Sequence, residues 1–190
     1  MQIGSERRAA LDPARIGFRA LQTGDLALLQ RWLTNPRVFR WYGGAGPSFA
    51  EVTAKYTPRI AGQAPTKPYL ILHAATPIGY IQTYLVASDL DYAAIVGDSS
   101  DAAALDLFIG EDGYAGRGLG AAAIHAFLHE IIFSDPSMNR CFIDPHPDNS
   151  VAIHAYTRAG FRPLRRVDPP PPEEPCLLMC IERAGFEGER

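Results

Sequence analysis

The densest chemical signal in the sequence is Gly116-Arg117-Gly118-Leu119-Gly120, three glycines in five residues between two apolar runs. Glycine lets the backbone take positive φ and approach a ligand closely. Where such a turn opens a helix, the first N–H groups point outward with the helix dipole behind them, which suits an anion. Arg117 adds a positive charge beside them. A pyrophosphate is the natural occupant; a tight strand-to-helix turn would explain the same glycines without a ligand. The pattern is not a Walker A loop, because Gly-Lys-Ser/Thr does not follow four spacers. Nor is it a dinucleotide fingerprint, because no second parallel strand–helix unit with an acid follows.

Charge is the second signal. From Pro68 to Gly116 there is no Lys or Arg, while Asp89, Asp91, Asp98, Asp101, Asp106, Glu111 and Asp112 all fall there. Arg31, Arg37 and Arg40 lie on one side, and Arg117, Arg140, Arg158, Arg162, Arg165 and Arg166 on the other. A chain divided this way offers a negative surface to a cation and a positive one to an anion; solvated loop acids are the plainer reading. Arg40-Trp41-Tyr42-Gly43-Gly44 reads as an aromatic–glycine loop, and Pro145-His146-Pro147-Asp148-Asn149 as a second loop.

These groups need a scaffold. At 190 residues the chain is sized for one domain that buries about 70% of its unfolded surface without staples. Residues 1–15 read as a loose lead-in and 16–190 as the domain. With 47% hydrophobic and 21% charged residues, the composition is ordinary for a globular protein. A net charge of −3 argues against sequence-independent nucleic-acid binding. No apolar run approaches the ~18 residues of a membrane span. Met1 to Arg15 carries charges and no apolar core, unlike a secretory signal. Cys141, Cys176 and Cys180 are odd in number and lack zinc spacing, so reduced cytoplasmic thiols and no metal are expected.

Short β-rich runs over 16–21, 69–74, 78–86, 104–109, 140–144, 161–167 and 177–182 predict strands, the second and third forming a hairpin turned at Thr76-Pro77. Leu26, Leu29, Trp32 and Leu33 share one face of a helix that Asn35-Pro36 ends. Ser48 with Glu51 is a capping box opening a helix over 49–61. A third helix follows the glycine turn, with Leu119, Ala123, Ile124, Phe127, Leu128, Ile131 and Ile132 inward. A fourth spans 150–159, closed by Gly160. The acidic segment 88–102 shows no period, and Pro169 to Pro172 is a stiff polyproline-like run. The order implies α+β: a mainly antiparallel sheet with helices on its faces.

Asp106-Leu107-Phe108-Ile109, then Ala115 through Gly120, then Asn149 through Ala159-Gly160-Phe161 occur in an order and spacing that resemble the GNAT superfamily of acyl-CoA N-acyltransferases. The resemblance covers about residues 16 to 183. It implies a mostly antiparallel sheet splayed near its middle, with a slot for the pantetheine arm of acetyl-CoA. It also implies cofactor contacts from Leu107, Phe108, Ile109, Arg117, Gly118, Leu119, Gly120, Ala121 and Asn149. Where the family's loop usually begins with Gln or Arg, this chain has Ala115.

Asp25-Leu26-Ala27, Trp32-Leu33, Trp41-Tyr42-Gly43-Gly44, Pro77-Ile78-Gly79-Tyr80, Asp144-Pro145 and Ala152-Ile153 with Tyr156 are similar to the aminoglycoside 6'-N-acetyltransferases. That resemblance implies Asp106 as catalytic base, and Trp41, Tyr42, Tyr84, Asp106 and Asp144 around the drug. Acetyl transfer to an amine needs the amine neutral, and a nearby carboxylate can take its proton. A backbone N–H at Leu107 or Phe108 would meet the developing oxyanion. Tyr156 would protonate the leaving thiolate, or be a core aromatic. Asn149 would bond the pantetheine arm, cap its helix, or both. His146 reads as incidental, and Asp98 or Asp101 are alternative bases.

Tyr92 to Asp101 is less acidic than is usual in that subfamily, which would suit a drug with fewer amines, such as kasugamycin acetylated on its 2'-amine. The expected partner is a small aminoglycoside, with no nucleic acid or membrane, and the protein a monomer or homodimer in the cytoplasm conferring antibiotic resistance. Other readings are a GNAT enzyme for a protein N-terminus or siderophore precursor, and a non-catalytic acyl-CoA-binding module.

Overall fold

In the computed structural model, described for residues 11–41, 46–97, 99–168 and 174–188, the β-rich runs pair into one seven-stranded sheet. The strands are β1 (Ile16–Ala20), β2 (Lys67–His73), β3 (Thr76–Leu85), β4 (Ala102–Ile109), β5 (Arg140–Ile143), β6 (Arg162–Val167) and β7 (Cys176–Glu182), in the order β1-β2-β3-β4-β5-β7-β6. Every pairing is antiparallel except β4 with β5. The mostly antiparallel α+β sheet is therefore as expected.

Alternation along the strands sends neighbouring side chains to opposite faces. Ile71, Ile81 and Leu107 join one buried cluster; Leu70, Tyr80 and Phe108 join another. The first cluster lies under α5 (Leu119–Phe127) and α6 (Ser150–Arg158). Phe127 is fully buried there, edge-on to Phe18 and Tyr69 at 5.0 and 5.3 Å. Burial of that ring alone stabilises the docking by about 2–3 kcal/mol. A π-helical turn, Leu128–Ile132, extends α5 and keeps Leu128 and Ile132 in the core, so the single helix expected here changes winding at its end. The second cluster lies under α1 (Leu26–Leu33) and α3 (Phe49–Ile60). Leu26, Leu29, Trp32 and Leu33 are all buried, as their spacing predicts, and both bonds of the Ser48–Glu51 capping box form.

Four local expectations change. Asn35-Pro36 does end α1, but Asn35 then caps a short helix α2 (Pro36–Phe39) by accepting from the Arg37 N–H at 3.0 Å. The segment without a period contains α4 (Leu90–Val96), capped by Asp89, with Tyr92 as its buried residue; one inward residue leaves no pattern to read. The β2–β3 turn is at Ala74-Ala75, both at positive φ, and Thr76-Pro77 belongs to β3. The described part of the lead-in is docked rather than loose: Asp12 caps a 3-10 turn over Pro13–Arg15, and its carbonyl is 3.0 Å from His73 Nε2. A last helix, α7 (Arg183–Gly188), buries Phe186. The polyproline run lies outside the described residues.

Candidate active site

Sheet register places Asp106. On β4 it shares a face with Ala104 and Phe108 and sits between two apolar clusters, one including Phe108 and the other Ala104 under α4. Its β3 partner is Gln82, whose Nε2 donates to Asp106 Oδ2 at 2.7 Å. Burial raises the Asp106 carboxyl above its ordinary range, opposed by the Gln82 bond and the α3 cations Arg59 and Lys55.

The slot forms because β4 and β5 part company. Their parallel pairing covers Ala102–Ala104 against Arg140–Phe142. Beyond it β5 stays with β7, Ile143 opposite Met179, while β4 stays with β3 out to Ile109. Asp106 lies two residues past the last β4–β5 pair. The resulting cleft has a volume of about 960 Å³ and reaches both faces of the sheet. Asp106, Leu107, Phe108 and Ile109 line it along β4. Gly116, Gly118, Gly120 and Ala121 line it at the turn into α5, Asn149 and Tyr156 from α6 and its cap, and Trp41, Asp144 and His146 from loops.

The glycine turn has the properties its composition implies. Gly118 takes φ +80° immediately before α5, and a Cβ built on Gly118 or Gly120 would meet no atom within 4 Å. Both positions therefore present bare backbone to the cleft at a helix N-terminus, a setting that fits a pyrophosphate. Leu119 is corrected as a side-chain contact: it is 1% exposed in the core, so only its main chain can face a ligand. Arg117 does not line the cleft; its Nη1 donates to the Gly113 carbonyl at 3.2 Å.

Asp144, at the end of β5, is half-buried and accepts from the Tyr92 hydroxyl at 3.2 Å. Burial, then the charge of Asp106, pushes its carboxyl up to about 7, against the Tyr92 bond. Burial, then Asp106 and Asp144, raises the Tyr156 hydroxyl, so it stays protonated and can donate. Asn149 caps α6, accepting from the Ala152 N–H at 3.2 Å while also lining the cleft.

Trp41 has the Arg40 guanidinium carbon 4.5 Å from its ring centre and the His146 ring, tilted, at 5.9 Å. His146, read from sequence as incidental, thus belongs to the cleft wall. Tyr42 lies outside the described residues. Tyr84 does not line the cleft; opposite Ala104, it packs 6.1 Å from Tyr92, its hydroxyl raised by burial and by Asp106 and Asp144.

The acidic run is less uniform than its composition suggests. Glu111 bonds Arg31 and Trp32, Asp112 bonds Arg37 and Asn35, and Asp101 bonds Arg140. The Arg140 bond holds the Asp101 carboxyl below its ordinary range, and Asp101 does not line the cleft. Asp98 lies outside the described residues. Among the described residues no group of three His, Cys, Asp or Glu is placed to hold a metal, and no helix is long and apolar enough to cross a membrane.

The sequence reading passed over Gln82, Arg59 and Tyr92 and set His146 aside. Gln82 left one trace: a lone amide in a strand otherwise rich in apolar and aromatic residues. The others carry no sequence signal, because their partners are 23, 52 and 105 residues away.

Residues 22–169 match the model of the acetyltransferase (GNAT) domain family. The chain is 30% identical over 177 residues to aminoglycoside N(6')-acetyltransferase type 1 of Klebsiella pneumoniae, covering 92% of this chain and 87% of that one. Its structure resembles AAC(6')-Ib solved with paromomycin and acetyl-CoA, at TM-score 0.83 and 31% identity over 92% of this chain and 97% of the other. It also resembles aminoglycoside acetyltransferase AAC(6')-Ib solved with coenzyme A and kanamycin, at TM-score 0.81 and 30% identity over 91% and 98%.

Proposed function

Because the chain belongs to the GNAT acetyltransferase family, we propose that it transfers the acetyl group of acetyl-CoA to an amino group of an aminoglycoside, and so confers resistance to that drug. The observation that carries this reading is that one cleft joins the bare glycine turn, Asp106, Tyr156, Asp144 and Trp41. Anion-binding backbone and amine-binding carboxylates thus open onto the same space.

Acetyl-CoA supplies a thioester carbonyl open to attack by an amine. The main chain of Gly118 to Ala121 holds its pyrophosphate, and Asn149 meets the pantetheine arm. The thioester then lies beside the β4 main chain at Leu107 and Phe108. Asp144 attracts the ammonium groups of the drug through charge-assisted bonds, and Trp41 gives a face for its rings. Asp106 accepts the proton of the attacking amine, directly or through one water. Tyr156 donates to the departing thiolate. A cytoplasmic setting, where acetyl-CoA is available, fits this chemistry.

The test is thiol release from acetyl-CoA with kanamycin, ribostamycin and kasugamycin as acceptors, and NMR of the products to identify the amine. Turnover with kanamycin at the 6'-amine supports the reading in full. Turnover restricted to kasugamycin moves the site to the 2'-amine. Release with a peptide N-terminus or a hydroxylysine-type precursor, and none with the drugs, replaces the substrate class. Coenzyme A binding without turnover on any acceptor would leave a non-catalytic module.

A further inference from the structure

Beside the cleft, four polar side chains are joined through one amide, that of Gln82. Gln82 Nε2 donates to Asp106 Oδ2 at 2.7 Å, and Gln82 Oε1 accepts twice, from the Tyr80 hydroxyl and from Arg59 Nη1, each at 2.7 Å. A primary amide has one acceptor oxygen and one donor nitrogen. The Tyr80 hydroxyl could turn to accept, but the Arg59 guanidinium only donates, so the reversed amide would set donor against donor at Arg59 and the nitrogen faces Asp106. Arg59 is held in place by the Tyr56 ring, 5.2 Å from its guanidinium carbon, and that ring stands edge-on to Tyr80 at 5.6 Å.

We propose that Arg59 is a positioning residue for Asp106, acting through the Gln82 amide: it fixes the amide's orientation, engages Oδ2 and leaves Oδ1 for the acceptor amine. This rests on the reading of Asp106 as the base. Arginine suits the role because it stays charged at all working pH values and cannot accept a hydrogen bond. Without it the amide oxygen loses its ionic partner, and the hydrogen bond that favours the charged form of Asp106 is no longer enforced.

The other groups facing Asp106 are Lys55 and Tyr56 on α3, Tyr80 and Tyr84 on β3, Tyr92 on α4, Cys141 on β5, Asp144 beyond it and Tyr156 on α6. Of these, Lys55 is the other cation and Asp144 the other carboxylate. Removing Arg59 therefore shifts the balance toward burial and like charge, and Asp106 should hold its proton to higher pH.

The experiment is a carboxyl ¹³C NMR titration of the full chain, with the Asp106 signal assigned by its loss in Asp106→Asn. Arg59 is partly exposed, so Arg59→Met tests the proposal without emptying the core. Its Asp106 midpoint should rise by roughly half a pH unit or more. Arg59→Lys, which keeps the cation, should recover part of the shift. In a Gln82→Met background the Arg59→Met increment should shrink, as expected for residues acting in series. Turnover of Asp106→Asn at saturating drug is measured alongside: normal turnover there removes Asp106 as base, whatever the titrations give. With Asp106 upheld as base, an unmoved midpoint in Arg59→Met, or an equal increment with and without Gln82, overturns the proposal.

Discussion

Tyr92 donates its hydroxyl to Asp144 across 3.2 Å, tying α4 to the residue that follows β5. Tyr92 also fills a buried cluster with Ala104 and Phe142, so one residue both closes the sheet face and steadies the carboxylate beside the cleft. Replacing it with Phe keeps the ring and removes the donor. That bond holds the Asp144 carboxyl down, so in Tyr92→Phe it should lose its proton only at a pH above 7. The Michaelis constant for the drug should rise severalfold at pH 7 and recover at pH 8.5, with acetyl-CoA binding unchanged.

Asp144 should trade stability for drug binding. In the folded chain its carboxyl holds a proton up to about pH 7, whereas in the unfolded chain it gives it up near ~4. Between those values only the native state is protonated there, so stability falls as pH rises through that window. Asp144→Asn removes the penalty and should be more stable than wild type by about 2 kcal/mol at pH 8 in urea melts, with the gain gone at pH 4. The same variant should raise the drug's Michaelis constant at pH 8 more than that of acetyl-CoA. Added salt should weaken wild-type drug binding by screening and affect the variant less.

Asp106→Asn should lower turnover by ~10²–10⁴-fold at saturating drug, the usual contribution of a general base. Acetyl-CoA affinity should stay near wild type, because the glycine turn is separate from β4. Recovery of turnover at saturating drug would make Asp106 an anchor for the cation instead.

Gly120→Val separates a cradle from a turn. Gly118 is strained in any L-residue form at φ +80°, but Gly120 is an ordinary helical position whose Cβ would meet no protein atom within 4 Å. The variant should therefore fold with stability within about 0.5 kcal/mol of wild type. Calorimetry should nonetheless show coenzyme A affinity reduced at least roughly tenfold, about 1.4 kcal/mol. Unchanged affinity would make the glycines a turn only.

The β2–β3 hairpin carries a correctable strain. Ala74 and Ala75 stand at φ +51° and +69°, where Asn and Gly are preferred. The pair Ala74→Asn and Ala75→Gly should raise stability by about 1 kcal/mol, measured by the urea midpoint, with activity unaffected.

The sequence alone determined the parts whose cause is local. Leu26, Leu29, Trp32 and Leu33 make one helix face because their spacing matches the helical repeat, and Ser48 with Glu51 opens α3 because both partners lie within one turn. The glycine turn was legible because positive φ and bare backbone are properties of the residues themselves. The resemblance carried by the motifs implied a slot near the middle of the sheet, and folding set it where β4 and β5 part. Tertiary structure decided what depends on distant partners. Register across β3 sets Gln82 against Asp106, and α3 brings Arg59 to Gln82. Docking of α4 lends Tyr92 to Asp144, and the packing of two loops lays His146 beside Trp41. It also divided the acids: Asp101, Glu111 and Asp112 are paired with arginines, Asp112 at the cleft itself, while Asp106 and Asp144 line that cleft with their carboxyls raised by burial. Composition counts carboxylates alike, but burial and the nearest cation make each one a brace or a reactive group, and both are set only when the chain is folded.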